Sequence, residues 1–200
     1  MKYNNSISIV GTVRELSFDH SNSKTNMYRM LITTDRLSGV SDEIRVNIEE
    51  YLLGCHDIKV GSRIQVDGII RTYRKDSHLI LVVIAKNIVT VDVPKQDRNV
   101  ASIEGFVCKP PIFRETPFGK HIIDLHIAHN TDSGVSSYIP CIVWNKLAML
   151  YKDISVGQGV SITGRLQSRK YNKVIEDTVV EKTVNELSII SLKPLQEDDI

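Results

Sequence analysis

The feature that most constrains the fold of this 200-residue chain is an internal repeat. The segment SIVGTVRE at Ser8–Glu15 reappears as SIEGFVCK at Ser102–Lys109, 94 positions later. The segment DIKVGSRIQVDGIIRTYRK at Asp57–Lys75 reappears as DISVGQGVSITGRLQSRKY at Asp153–Tyr171, 96 positions later. Self-similarity at such a spacing indicates two copies of one structural unit. The chain is therefore expected to fold as two homologous modules.

The boundary between the copies is marked by proline and polar residues in the segment DVPKQDR, which is typical of a linker. We therefore predict a first module at residues 1–91, a linker at 92–98, a second module at 99–195 and a short acidic tail at 196–200.

Each copy shows the same order of short segments. Apolar residues alternate at the start of both copies, around Gly11 and Gly105, where a bend or bulge is expected. Two further alternating segments follow, then a stretch of helical composition, for which Asn145 is a candidate cap in the second copy, and then two more strands. Five strands with a short helix between the third and the fourth is the order of the OB-fold. The prediction is an all-β protein of two tandem OB-fold, five-stranded Greek-key barrels.

The third predicted strand of the second module, YIPCIVW, carries two aromatic rings at positions that should share one face of the strand. Tyr138, Ile142 and Trp144 alternate with a plainly apolar set: Ile139, Cys141 and Val143. Because successive side chains of a strand point to opposite faces, one face should be buried and the other should present the rings. An ordinary core position for Trp144 is the structural alternative.

A basic segment with a ring follows in ITGRLQSRKYNK, Ile162–Lys173, where cations surround Tyr171, and IIRTYRKDSH around Tyr73 is a smaller version in the first module. Rings stack on any base and cations contact phosphates, so this pattern is typical of surfaces that bind single-stranded nucleic acid. Charge that serves solubility alone is the alternative. The candidate stacking residues are Tyr138, Trp144, Tyr171 and Tyr73. The candidate phosphate-binding residues are Lys120, Lys146, Arg165, Arg169, Lys170, Lys173, Arg71, Arg74 and Lys75.

The second module resembles the bacterial single-stranded DNA-binding protein family. The motifs that carry the resemblance are NVASIEGFV, RETPFGKHIIDLHIAHN, IVWNKLAMLY and VGQGVSITGRLQSRKY, in the family's order between Asn99 and about Leu195. The resemblance implies that bases stack on rings at both ends of the third strand and on the ribbon after the fourth, which correspond to Tyr138, Trp144 and Tyr171. A further ring of the family, in the loop after the second strand, has no counterpart in HNTDSGVSS.

The resemblance implies sequence-independent binding of single-stranded DNA in replication, recombination or repair. It also implies a homodimer, because family members commonly present four OB-folds per functional unit. An OB-fold interaction or assembly protein of the primosome-accessory type, with weak or no DNA binding, stays open. The choice between DNA and RNA also stays open, because stacking does not read the sugar.

The first module departs from the ring pattern. At a common shift of 96 positions, Tyr138 falls on Asp42, Trp144 on Ile48 and Tyr171 on Lys75. The first module is therefore expected either to bind more weakly or to serve mainly in assembly.

The last residues, Glu197, Asp198, Asp199 and Ile200, are similar to the acidic tip with which the family recruits replication and repair proteins. The family's final Pro-Phe and its long spacer are absent, so a frayed acidic end is the alternative.

Composition argues against other classes. A net charge of +1 shows that any basic surface must be local. Three cysteines without CxxC spacing support neither zinc nor a disulfide framework, and the chain has no glycine-rich phosphate loop. We expect no enzyme activity, no cofactor and no metal. No run approaches the roughly 18 apolar residues of a membrane span, so no membrane partner and a cytoplasmic location are expected.

Overall fold

The computed structural model describes residues 4–54, 57–75, 78–91, 96–131, 134–175 and 178–195, with the backbone alone at 172–175, 178 and 182. The first module consists of β1 (Asn5–Ser21), β2 (Asn26–Asp35), β3 (Ser41–Glu49), α1 (Glu50–Gly54), β4 (Arg63–Lys75) and β5 (His78–Thr90). The second consists of β6 (Arg98–Val107), β7 (Ile112–Glu115), β8 (His121–Asn130), β9 (Ser136–Trp144), α2 (Asn145–Leu150), β10 (Gly159–Ile175) and β11 (Thr178–Pro194).

The strands of each module close into a barrel. In the first module β1 pairs with both β2 and β4, and β3 pairs in parallel with β5, which gives the ring β1-β2-β3-β5-β4. In the second module β6 pairs with both β8 and β10, and β9 pairs in parallel with β11. The prediction of two OB-fold barrels with a helix between the third and fourth strands is confirmed.

The first strand of the second module is split, whereas its counterpart β1 runs for 17 residues. Pro110 and Pro111 lie in the gap between β6 and β7. Proline has no N–H to donate to a ladder, so two in succession interrupt the pairing. The short strand β7 then continues alongside β8, from Ile112 opposite Asp124 to Glu115 opposite His121.

The glycines near the start of each module allow the barrel to close. A Cβ on Gly11 would lie 2.3 Å from the carbonyl oxygen of Thr33, and one on Gly105 would lie 2.4 Å from that of Ala128. The expected bulge does not lie at Gly11, because the register of β1 shifts between Val13 and Glu15. Close approach of the backbones, rather than a bulge, therefore explains this glycine pair.

The start of α2 differs from the expectation for Asn145. The residue at the cap position is Trp144, in extended conformation, and no side chain caps the helix there. Asn145 itself has a φ of +53°, a left-handed conformation that asparagine adopts more readily than most residues. Asn145 therefore turns the chain out of β9 and into the helix, and the prediction that it caps was wrong.

The two modules are joined edge to edge into one sheet. Asn5–Val10 of β1 pair antiparallel with Arg98–Ile103 of β6, so the first strands of both barrels lie side by side. Asp97, just before β6, accepts a hydrogen bond from the backbone N–H of Asp35 at 2.5 Å and forms an ion pair with Arg63. These contacts hold the second module in a defined position against the first.

Candidate nucleic-acid interface

Tyr138 and Trp144 lie at opposite ends of β9, on its outer surface. Tyr138 is 48% exposed and Trp144 is half-buried, while the alternate residues Ile139, Cys141 and Val143 belong to the barrel core. The predicted division of this strand into a core face and a ring-bearing face is therefore confirmed at these positions. We call the outer surface of β8 and β9 around the two rings the ring face.

Ile142 is the exception on the ring face, since it shares the parity of the rings yet is only 4% exposed. Ile122 of β8 lies directly opposite Trp144 and is 1% exposed, although it also points away from the core. Residues opposite each other in an antiparallel pair contact each other. Trp144 therefore packs on Ile122 and is neither an ordinary core residue nor a fully exposed one.

Two further rings missed by the sequence analysis lie on β7 and in the turn after it. Phe113 is opposite the core residue Ile123 of β8, so it lies on the other side of the sheet from the ring face. Phe118, in the turn between β7 and β8, is 91% exposed, and Phe113 of β7 is 42% exposed. Phe113 stacks on His121 with ring centroids 5.6 Å apart and an interplanar angle of 19°. The motif RETPFGKH contains Phe118 and His121 and begins one residue after Phe113, but only the split of the first strand brings β7 beside β8.

His126 points outward from β8, opposite Pro140. The pKa of His126 is lowered, mainly by burial and to a smaller extent by the positive charge of Lys109. The negative charge of Asp124 opposes this shift. His126 is therefore neutral near pH 7, and it adds no positive charge to the ring face at that pH.

The candidate cations of the second module do not form one cluster. Lys120 is exposed in the turn before β8, and Lys146 is exposed on α2, two residues after Trp144. Both flank the ring face. Arg165, by contrast, is half-buried on β10, and its Nε has no hydrogen-bond partner among the described residues.

Two cations on the hairpin of β10 and β11, Arg169 and Lys170, are paired with carboxylates from β11. Lys170 Nζ lies 2.9 Å from Glu181 Oε1, and this hydrogen bond raises the pKa of Lys170. Arg169 Nε lies 3.7 Å from Glu186 Oε2. The basic appearance of this segment in the sequence is therefore partly neutralised in the fold. The backbone of Lys173 pairs with Val180, and its side chain lies outside the described residues.

Tyr171 lies against the first module, away from the ring face. Three hydrogen bonds anchor the hairpin that carries Tyr171 to β3. The backbone N–H of Glu43 donates to Ser168 Oγ at 3.1 Å, and the carbonyl oxygen of Glu43 accepts from Asn185 Nδ2 at 2.7 Å. The backbone N–H of Ser168 donates to Asp42 Oδ1 at 2.7 Å. The guanidinium of Arg169 lies 5.9 Å from the centre of the Tyr171 ring. Tyr171 and Tyr73 line the same groove on the first module.

The hairpin of β4 and β5 reaches the second module in return. Thr72 Oγ1 accepts the backbone N–H of Tyr138 at 2.8 Å, and Arg71 Nη1 lies 3.5 Å from Ser137 Oγ. Arg71 is therefore close to the ring face, whereas Arg74 and Lys75 are exposed further along the hairpin. The structure thus places Tyr73 and Tyr171 along one groove, Tyr138 next to the hairpin that carries Tyr73, and Trp144 at the far end of β9.

The correspondence between the third strands of the two modules needs a correction. Ile32 pairs with Ile44 as Ile127 pairs with Ile139, which sets a shift of 95 positions for the second and third strands. Tyr138 therefore matches Glu43, and Trp144 matches Glu49; the expected matches to Asp42 and Ile48 were wrong. Both expected partners are fully buried. The first module still lacks rings at these positions, and it has carboxylates there instead.

Several features fall outside this interface. The tail residues Glu197, Asp198, Asp199 and Ile200 lie outside the described residues. Within the part of the chain that the structure describes, no helix is long and apolar enough to span a membrane. No group of three or more potential metal ligands occurs among the same residues. Burial raises the pKa of the Cys141 thiol, which therefore serves as a small apolar core residue.

The barrels and the ring face define a tandem OB-fold protein. Residues 98–192 match the model of the Single-strand binding protein family. The second module therefore belongs to this family, as its motifs predicted, and membership agrees with the prediction of a protein that is not an enzyme. No curated protein matches the chain.

Two solved structures share the fold of the whole chain. The wild-type single-stranded DNA binding protein from Thermus aquaticus is 19% identical, with a TM-score of 0.77 over 98% of this chain and 95% of that chain. A deletion mutant of that protein is 18% identical, with a TM-score of 0.76 over 98% of this chain and 97% of that one. The N-terminal domain of PriB from Thermoanaerobacter tencongensis, solved as a dimer, is 30% identical over 44% of this chain and 98% of that chain, with a TM-score of 0.41.

Proposed function

We propose that the chain binds single-stranded DNA, without selecting its sequence, on the ring face of the second module. The observation that carries this proposal is the pair Tyr138 and Trp144, which leave ring surface open on an OB-fold barrel of the Single-strand binding protein family. The Thermus aquaticus proteins with the same fold are named for single-stranded DNA binding, which supports the proposal.

Stacking supplies the attraction and explains the lack of sequence selection. Every base has a π-face, and each stacked base contributes ~1–3 kcal/mol. Trp144 packs on Ile122 from one side, so little side-chain freedom is lost when a base covers its other side.

Lys120, Lys146 and Arg71 are the cations that we assign to the phosphates of this strand. The first two are exposed beside the ring face, and Arg71 reaches it from the first module. Each phosphate contact on a single strand contributes roughly −0.7 to the slope of log K against log salt concentration, so three contacts give a slope of about −2. Arg169 and Lys170 should contribute less, because they already have carboxylate partners.

Assembly is the second candidate function, and the first module favours it. Glu43 and Glu49 stand where the second module has its rings, and carboxylates repel the phosphate backbone. The first module also holds the second through its sheet edge and its hairpin. A protein that uses both modules to contact other proteins would leave Tyr138 and Trp144 away from DNA.

A biological role in replication, recombination or repair fits a sequence-tolerant binder, and we propose a homodimer with four OB-folds as its working form. The acidic residues 197–200 are proposed to recruit partner proteins. Deletion of these four residues should abolish capture of a replication or repair protein and leave DNA affinity unchanged; capture that persists would show that the tail has no such role.

Substitution of the exposed ring tests the proposed function. Tyr138→Ala should weaken binding of a fluorescently labelled oligo(dT), measured by anisotropy, by roughly 5- to 150-fold, the equivalent of ~1–3 kcal/mol for one stacked base. Tyr51→Ala is the matched control, because Tyr51 is 59% exposed on α1 of the first module, outside the ring face. Equal affinity of the Tyr138 variant and the wild type would contradict the proposal and favour assembly.

A further inference from the structure

The hairpin of each module contacts the third strand of the other module at equivalent positions. The backbone N–H of Tyr138 donates to Thr72 Oγ1 at 2.8 Å, and the backbone N–H of Glu43 donates to Ser168 Oγ at 3.1 Å. Tyr138 and Glu43 correspond at the shift of 95 positions that relates the third strands. Thr72 and Ser168 correspond at the shift of 96 that relates the fourth strands. A hydroxyl of each module therefore accepts the equivalent backbone N–H of the other.

The residue before each of these N–H groups is polar and fully buried. Asp42 accepts the backbone N–H of Ser168 at 2.7 Å, and Ser137 Oγ lies 3.5 Å from Nη1 of Arg71. Asp42 and Ser137 both have an exposed fraction of 0%. Because a buried polar group that loses its partner costs free energy, both junctions depend on the hairpin that reaches them.

The start of β9 needs this contact more than the rest of the strand does. β9 pairs with β8 over Ser136–Trp144, but with β11 only over Cys141–Val143. Alternate residues of a strand point their N–H groups to the same edge, so residue 140 shares an edge with Tyr138. That residue is proline, which has no N–H to continue a ladder. Thr72 therefore supplies the partner for an N–H that lies beyond the pairing with β11.

We propose that Thr72 is a positioning residue for Tyr138, a role that rests on the proposed function. The hydrogen bond fixes the backbone of Tyr138 at the open end of β9, and the direction of the ring follows from the backbone. The first module then takes part in DNA binding by holding the ring face in its binding geometry, although its own third strand carries no ring. Ser168 makes the same contact with Glu43, where no ring is positioned.

Removal of the hydroxyl tests this role. Thr72→Val keeps the shape of the side chain and removes the acceptor, so the affinity for labelled oligo(dT), measured by anisotropy, should fall roughly 2- to 12-fold, the effect of one neutral hydrogen bond. Thr72→Ser keeps the hydroxyl and should bind like the wild type. Thr90→Val is the matched control, because Thr90 lies at the opposite end of the same hairpin, where it pairs with Ile64.

A double-mutant cycle separates positioning from a direct contact between Thr72 and DNA. In the Tyr138→Ala background, Thr72→Val should cause no further loss of affinity, because the ring through which it acts is gone. Ser168→Ala removes the equivalent hydroxyl, and its effect on affinity should be the same with and without the Tyr138 ring. A Thr72→Val loss that persists in the Tyr138→Ala background would overturn the positioning role.

Urea denaturation of Thr72→Val provides the second readout. A lower midpoint with unchanged affinity would show that the contact serves folding alone, and it would also overturn the positioning role. The two proposals can fail separately. If the wild type binds and Tyr138→Ala weakens binding while Thr72→Val does not, the proposed function stands and the positioning role alone fails. If the wild type does not bind oligo(dT), both fail.

Discussion

At the scale of the residue, burial and not identity decides what a polar or aromatic side chain does. In the sequence nothing distinguishes Asp42 from the other acidic residues. In the structure it is fully buried, and its carboxylate connects the two modules by accepting the N–H of Ser168. Asp57, by contrast, is exposed, and its ion pair with Lys59 lies in solvent. The first carboxylate should therefore matter for stability, and the second should not.

Asp42→Ala tests this contrast. The substitution leaves the guanidinium of Arg36 and the N–H of Ser168 without their acceptor, so the free energy of unfolding should fall by about 3 kcal/mol. Asp57→Ala is the control and should leave the denaturation midpoint unchanged. Both can be measured by urea denaturation followed by circular dichroism. A midpoint for the Asp42 variant equal to that of the control would show that the contact between hairpin and β3 carries no stability.

At the scale of the element, the repeat predicted the order of the strands and the place of the helix in each module, but not the split of the second module's first strand into β6 and β7. Single-residue insertions limited the detail further. The shift between the copies is 94 positions at Gly11 and Gly105, 95 at Ile32 and Ile127, and 96 at Gly68 and Gly164. One extra residue therefore precedes the second strand and another precedes the fourth in the second module. A one-residue slip exchanges the two faces of a strand, which is why a common shift placed Tyr138 on buried Asp42.

The approach of β6 to β8 should not tolerate a side chain. Gly105→Ala places a Cβ 2.4 Å from the carbonyl oxygen of Ala128, so the backbone must move, at a cost of ~1–3 kcal/mol in the free energy of unfolding. Gly54→Ala is the matched control, because no atom lies within 4 Å of a Cβ at that position. The two thermal midpoints can be compared by calorimetry, and an unshifted midpoint for the Gly105 variant would contradict this explanation of the glycine.

At the scale of the whole molecule, pairing of β1 with β6 turns two barrels into one continuous sheet, and each hairpin rests on the other barrel. The sequence predicted the two barrels but not this exchange, because contacts between distant segments leave no periodic signal. The position of Tyr171 depends on this exchange of hairpins between the barrels. The sequence correctly shows that Tyr171 is a ring beside cations, but it does not show which module the ring faces.

The proposed homodimer makes a simple prediction at this scale. The chain has a mass of 22.6 kDa, so sedimentation equilibrium should give twice that value in the absence of DNA. A mass of one chain at micromolar concentration would contradict the dimer and leave two OB-folds as the working unit.

The most direct test of the central claim is the fluorescence of Trp144, the single tryptophan of the chain, during titration with poly(dT) at low and at high salt. Binding on the ring face predicts saturable quenching with an affinity that falls as salt increases. Fluorescence that stays constant through saturating poly(dT), together with no retention of oligo(dT) on a filter, would contradict single-stranded DNA binding by this protein.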